Sequence, residues 1–358
     1  MQPEWREFLL REGATIEGDS VVHFGDPARE LAHAAQGDAL LDLSTLAPVR
    51  VSGSEAGVFL GGQLTQDVRE LDAAHHRIGA YCTAQGRMLV ILRLFRRNSD
   101  YYALLPYSLR DATIERLRRY VMRAKVQIAP TDALVSVGIA GPGAPVLVER
   151  VLAPAPAATG DCTTRDDVSV LRLSGEVPRF IAIGPPARMQ SLWSDWRRHA
   201  HPVGAGIWDW YDIRAGLPTV LPQTTEAFVP QMANLDLVGG ISLTKGCYPG
   251  QEIVARMHYL GRLKQRMYRA HVVDARAPQP GDSIHAPLMR EQSAGTVVMA
   301  HASPGGGYEM LAVIQIAAVE TEADALRLHD ASGPSLAVLP LPYAFPAPSQ
   351  PTRDPHAR

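Results

Sequence analysis

The chain has 358 residues, 46% of them hydrophobic, and a formal net charge of −2. That length and apolar content call for two or three domains with real cores and exclude a disordered chain. The near-neutral charge gives no global basic field for wrapping nucleic acid.

Three widely spaced cysteines, Cys82, Cys162 and Cys247, fit a reducing compartment better than a disulfide framework, and no Cys/His cluster has metal-ligand spacing. The opening residues, Met1-Gln2-Pro3-Glu4-Trp5-Arg6-Glu7, lack the basic start and apolar block of a signal peptide. No apolar run is long enough to cross a bilayer, so a cytoplasmic protein without a membrane partner is expected.

In chain order, Trp5, Phe8 and Leu9 recur at helical spacing and predict a short amphipathic helix before Gly13. Ala39 to Leu43 and Val49 to Val51 read as strands. Ser52-Gly53-Ser54-Glu55 has the form of a capping box opening a helix through Phe59 and Leu60. Tyr81 to Thr83 and Met88 to Phe95, joined by Ala84-Gln85-Gly86-Arg87, predict a hairpin, and Tyr101 to Leu105 a further strand. Ser108 then caps a helix with Ile114, Leu117 and Val121 on its apolar side.

That helix also carries Arg110, Arg116, Arg118, Arg119 and Arg123. Such a row is either a phosphate-contacting strip or a solvated face, and the balanced charge of the chain favours the solvated face. Leu134 to Ile139 is a buried strand, Gly141-Pro142-Gly143 starts another helix, and Ala153 to Ala158 is a Pro-rich loop. Strands over Val168 to Leu173 and Phe180 to Ile183 precede a helix over Met189 to Arg198 and an aromatic-rich segment, Trp208 to Ala215. After Gly261, short strands broken by Gly and Pro predict a small β-barrel or sandwich through about Tyr343, and the Pro-rich end reads as a disordered tail.

The densest chemistry lies at Lys245-Gly246-Cys247-Tyr248-Pro249-Gly250-Gln251-Glu252, running on to Arg256. Pro249 and Gly250 punctuate the backbone, and Gln251 to Met257 reads as a helix start with Glu252 in its first turn. Cys247 then falls just outside a helix N-terminus, where backbone amides and a neighbouring Lys245 favour thiolate over thiol. A buried structural cysteine in a loop is the alternative that local chemistry leaves open.

With the segments around it, this motif resembles the YgfZ family of folate-binding proteins, relatives of the aminomethyltransferase (T-protein) of the glycine cleavage system. The matching pieces are the KGCYxGQE octapeptide with Val254-Ala255-Arg256, and Pro230-Gln231-x-x-Asn234-Leu235 ahead of it. Supporting pieces are Gly62-Gln63-Leu64-Thr65-x-Asp67-Val68, Gln85-Gly86-Arg87-Met88, Leu92-Arg93-Leu94-Phe95-Arg96 and Pro340-Leu341-Pro342-Tyr343. The resemblance covers nearly the whole chain, from about residue 40 to 343.

The resemblance implies an α+β, three-domain aminomethyltransferase-like fold around a central cavity for tetrahydrofolate or another reduced folate, with a small C-terminal β-barrel. The expected division is 1–145 and 146–260 for the two α+β parts, 261–345 for the barrel and 346–358 for the tail. It also implies a role in the synthesis or repair of iron–sulfur enzymes, with those enzymes or their assembly proteins as partners, and tRNA reached at most indirectly, through modifications such as methylthiolation. Cys247 becomes the reactive thiol and Lys245 its activator. Gly246, Tyr248, Gly250, Gln251, Glu252 and Arg256 support the loop. No resident metal is expected, because one thiol cannot enclose a cluster.

A pterin needs a flat surface to stack on and paired donors and acceptors for its amide edge. Trp208 suits the first, Gln231 and Asn234 the second, and Arg214 a glutamate-tail carboxylate. Two departures stand out. The strand after the hairpin glycine, Gly86 to Leu92, has no acid where the T-protein family carries a catalytic carboxylate, which argues against aminomethyl transfer. Leu46 stands where some family members present an aromatic that contacts folate. An accessory factor is therefore the favoured reading. A folate-dependent one-carbon transferase or demethylase is the alternative, which an acid facing the pocket from another strand would revive. An RNA-binding module built on the arginine-bearing helix comes last.

Overall fold

The computed structural model describes residues 1–69, 71–259, 263–290 and 292–346. Helices are α1 (Pro3–Arg11), α2 (Pro27–Ala34), α3 (Ala56–Gly61), α4 (Arg110–Arg118), α5 (Ala144–Leu152), α6 (Pro186–Trp196), α7 (Gly206–Arg214), α8 (Gln251–Tyr259) and α9 (Ile316–Glu322). The first two start as their sequences dictate. Gln2 accepts the Trp5 amide at 2.6 Å ahead of Pro3, and Asp26 accepts the Ala28 and Arg29 amides ahead of Pro27.

Three larger sheets organise the chain. The first has the strand order Cys162–Arg165, Val168–Leu173, Arg179–Gly184, Val135–Ala140, Ala39–Asp42, His201–Val203. Only its last pair is parallel. The apolar stripes of α1, α5 and α6 cover one face, with Trp5, Trp193 and Trp196 fully buried among Val137, Ile139 and Phe180. On the other face α2 and α7 pack over Leu41, Leu43 and Ile181. The second sheet is antiparallel: His76–Cys82, Met88–Arg97, Asp100–Pro106, Leu46–Ser52, Gln127–Pro130.

The third sheet is a curled half-barrel in the order Arg327–Leu328, Ser283–His285, Gly295–Ala302, Tyr308–Gln315, Gln265–Val272, Leu336–Leu339. Its two edge strands meet at a single antiparallel bridge between Arg327 and Ser335. The expected small C-terminal barrel is therefore present as a six-stranded half-barrel. The second and third sheets share one core, in which Met267, Val298 and Leu311 pack with Leu64, Val90 and Phe228.

Two local expectations fail. Ser52 to Glu55 makes no capping box: α3 begins without a side-chain cap, and the Glu55 carboxylate accepts the Lys125 amide at 2.7 Å. Gly53, at φ +115°, lies so close to the Lys125 carbonyl that a Cβ would sit 2.1 Å from it, so this turn is moulded to the bend that leads into Gln127–Pro130 rather than to its own helix. Helix α4 also lacks a side-chain cap from Ser108 and stops at Arg118, short of Val121. Its arginines find local partners: Arg110 pairs with Asp111 and Asp132, Arg118 donates to the Ile128 carbonyl, and Arg119 pairs with Glu115. No helix among the described residues is long and apolar enough to cross a membrane. From residue 347 on, the expected tail lies outside the described residues.

Candidate functional site

Two places concentrate chemistry. The first is the loop that leads into α8, which is pinned at several points. The Ser242 amide donates to the Thr65 carbonyl at 2.9 Å. The Lys245 ammonium turns inward and donates to the carbonyls of Gly61 (2.5 Å) and Leu64 (2.8 Å), at the C-terminal end of α3. A cation there satisfies carbonyls that the helix leaves unpaired. The same ammonium lies 4.3 Å from the centroid of the buried Tyr248 ring. Burial pushes the Lys245 pKa down to about 8, against the opposing pull of Asp67.

Gly250 supplies the next fixed point. Its φ is +83°, and a Cβ would lie 2.5 Å from the Thr83 carbonyl and 2.6 Å from Gly86 Cα, so only glycine lets the loop rest on the hairpin turn. Val254 is fully buried, and its carbonyl accepts the Gln231 side-chain amide at 2.6 Å. Between these anchors Gly246 and Cys247 are exposed. Among the described residues Cys247 is the exposed thiol, whereas Cys82 and Cys162 are buried and pushed by that burial to about 12. Gln251 opens α8 with its amide on the Tyr248 carbonyl, and Glu252 and Arg256 face outward.

The second place is a cavity of about 390 Å³ where the sheets converge. Its walls are Asp19 and Ser20 at the turn between the short strands Thr15–Glu17 and Ser20–His23, the Ser44–Leu46 corner, Pro106–Ser108, the start of α7, Thr219 with Leu221, and Met299 of the half-barrel. Leu46, singled out in the sequence for what it lacks, does line this cavity. So does Asp209, in the first turn of α7, which the sequence reading passed over. Its carboxyl reaches the cavity solvent but has no hydrogen-bond or salt-bridge partner among the described residues. Enclosure by protein raises its pKa to about 7, with the charge of Asp212 adding to the effect.

The residues expected to hold a pterin are not in this lining. Trp208 is buried against Gly138, where a Cβ would lie 2.7 Å from the indole, and Arg179 stacks 5.0 Å from its ring. Arg214 pairs with Glu176 and stacks on Trp210 at 4.9 Å. Asn234, in the left-handed region at φ +57°, donates to the Met267 carbonyl at 2.7 Å and to the Tyr343 hydroxyl at 3.3 Å. Arg266 binds the Gln231 carbonyl and grips Asp236 with both nitrogens. Gln231 and Asn234 thus join the segment before the loop to the half-barrel, with Tyr343 closing the junction through the Gly216 carbonyl at 2.7 Å. In this geometry all four make intramolecular contacts, Trp208 within the core of the first sheet and Gln231 and Asn234 between the loop segment and the half-barrel.

No family model matches the chain. Two curated relatives are each named tRNA-modifying protein YgfZ. The one from Klebsiella pneumoniae (strain 342) is 31% identical over 306 residues, covering 86% of this chain and 93% of the relative. The one from Yersinia pseudotuberculosis serotype O:1b (strain IP 31758) is 32% identical over 308 residues, covering 86% and 92%. Among solved structures, the glycine cleavage system aminomethyltransferase T from Bartonella henselae superposes with a TM-score of 0.78 at 17% identity, covering 94% of this chain and 96% of that one. That likeness establishes an aminomethyltransferase-like fold. Sequence identity sustained over nearly the full length of both relatives establishes more: this chain belongs to the YgfZ family.

Proposed function

We propose that the protein is a YgfZ-type factor in tRNA modification, which binds a reduced folate in the junction cavity and works on its partners through Cys247. The partners in this reading are iron–sulfur enzymes, or the proteins that assemble them, and tRNA is affected through those enzymes. The observation that carries the proposal is one exposed thiol held on a loop anchored at Ser242, Lys245, Tyr248, Gly250 and Val254. Anchoring at so many points costs sequence freedom, which a merely structural cysteine would not require.

The cavity fits the cofactor class. Its volume falls in the range of small-molecule sites, roughly 300–1,000 Å³. Leu46, Tyr107, Leu221 and Met299 offer apolar and aromatic surface, and Asp209 offers an unpaired carboxyl. A reduced folate bound there supplies one-carbon carrier chemistry or a redox-sensitive ring. The chain's own residues orient it and screen it from bulk water.

The test is complementation of a bacterium lacking its own family member, with wild type and Cys247→Ala at matched protein levels, reading methylthiolated adenosine in tRNA by mass spectrometry. Wild type is expected to restore the modification and Cys247→Ala to fail. Equal restoration by both would remove the thiol from the proposal. A folate-dependent one-carbon enzyme remains the second reading, because Asp209 puts an acid in the cavity from an element other than the hairpin strand. Turnover of a reduced folate by the purified protein, above a no-enzyme blank, is the outcome that would favour it.

A further inference from the structure

We infer that Asp209 is the group that reads the cavity's ligand, its carboxylate accepting two adjacent N–H donors from the amidine-like edge of a 2-amino-4-oxo heterocycle, so that binding is coupled to loss of a proton from Asp209. The inference rests on the folate reading above and adds to it a specific residue, a ligand edge and a proton. Three observations carry it. The carboxyl lines the cavity and reaches its solvent. It has no partner among the described residues, unlike Asp42, which is held by Trp5 and Ser44, or Asp212, which pairs with Arg179. The other acid in the lining, Asp19, is tied to the Met1 amino group, and the remaining walls are apolar or carry single hydroxyls, which do not offer the paired acceptors of a carboxylate.

The charged and titratable groups around it can be named. Asp19 lines the same cavity but is bound to the chain's amino terminus, and Tyr107 lines it from the turn before α4. On α7 itself, Asp212 raises the Asp209 pKa while pairing with Arg179. From the half-barrel, His301 packs on Gly206, where a Cβ would lie 3.0 Å from its ring nitrogen, and its burial disfavours the imidazolium. Glu309 is held by Trp210 and Arg269. No cation among these is paired with Asp209. Its carboxyl is thus half-protonated near pH 7 when the cavity is empty. A ligand that donates two N–H groups favours the ionised form, and the proton leaves to solvent.

The experiment measures the affinity of the purified full chain for 5-formyltetrahydrofolate by calorimetry between pH 6 and pH 8. Buffers of different ionisation enthalpy count the proton. Wild type should bind about tenfold more tightly at pH 8 than at pH 6 and release a proton on binding at the lower pH. Asp209→Asn keeps the shape, and should bind about tenfold or more weakly at pH 8 with a flat pH profile. An analogue with the 2-amino group replaced by methyl should lose affinity for wild type and lose little more in Asp209→Asn. If wild type binds the folate but shows neither pH dependence nor sensitivity to Asp209→Asn, the assignment of Asp209 is overturned and the folate reading stands. If wild type binds no reduced folate, both fall together.

Discussion

The loop that presents Cys247 and the cavity that holds Asp209 are opposites in construction. The loop shows its thiol to solvent and spends its other residues on fixing the backbone. Lys245 caps α3, Tyr248 is buried beside it, and Gly250 seats against Gly86. The cavity surrounds an acid with protein yet leaves it unpaired and open to the cavity solvent, with walls borrowed from distant parts of the chain. The loop is therefore dense in sequence and the cavity is diffuse. What the contrast teaches is that a motif records the constraints on a backbone, while an assembled pocket records only which side chains a fold brings together.

The sharpest way to break the comparison is to disturb the frame between the two places. Trp208 was expected to face a pterin, but its indole fills the space over Gly138. Trp208→Ala should cost about 3–5 kcal/mol of stability, as large-to-small core changes do, and chemical denaturation would measure it. A loss under about 1 kcal/mol would return Trp208 to the cavity side of the comparison.

A middle-sized effect is expected at Lys245. Lys245→Met leaves the Gly61 and Leu64 carbonyls buried without a donor, for a loss of about 1–3 kcal/mol. The pH dependence has a definite sign. The folded pKa, about 8, lies below the ordinary 10.5, so between those values the unfolded chain binds more protons. Lys245 should therefore make stability rise with pH from about 8 upward, and that slope should vanish in Lys245→Met. Unfolding curves at pH 7.5 and 9.5 for both proteins would decide it.

The smallest change in stability belongs to Cys247. Cys247→Ser should shift unfolding by no more than about 0.5 kcal/mol, as for an exposed position, yet abolish fast thiol labelling of the native protein. Cys82 and Cys162 should label only in denaturant, because both are buried. Rapid native labelling in Cys247→Ser would show that a second thiol is reachable, and would blur the distinction between the exposed and buried cysteines.

Much of the fold was legible because periodicity and turn residues are local signals. The hairpin around Gly86, the helix following Gly250 and the strands after residue 263 are where hydrophobic alternation and glycine put them. Helix α2 was passed over although Asp26-Pro27 with Glu30 beyond is an opening signal; the acid caps the helix as such residues do. The capping box at Ser52 misled because Gly53 answers to Lys125, which is remote in sequence. Of the candidate site, the octapeptide was readable and the cavity was not. Asp209 sits in a helix whose aromatic neighbours dominate its pattern, and its meaning comes from Leu46, Tyr107 and Met299, which no local window contains.

The contact between Gly250 and Gly86 limits how the motif can be transplanted. The octapeptide excised as a synthetic peptide, or spliced into an unrelated scaffold, would lack the hairpin turn that gives Gly250 its seat and the carbonyls that take up the Lys245 ammonium. A minimal graft must include the Thr83–Arg87 turn and the C-terminal end of α3. It follows that a side chain at residue 250 would require the Thr83–Gly86 turn to be rebuilt, while one at residue 86 would press first on Ile253 of α8.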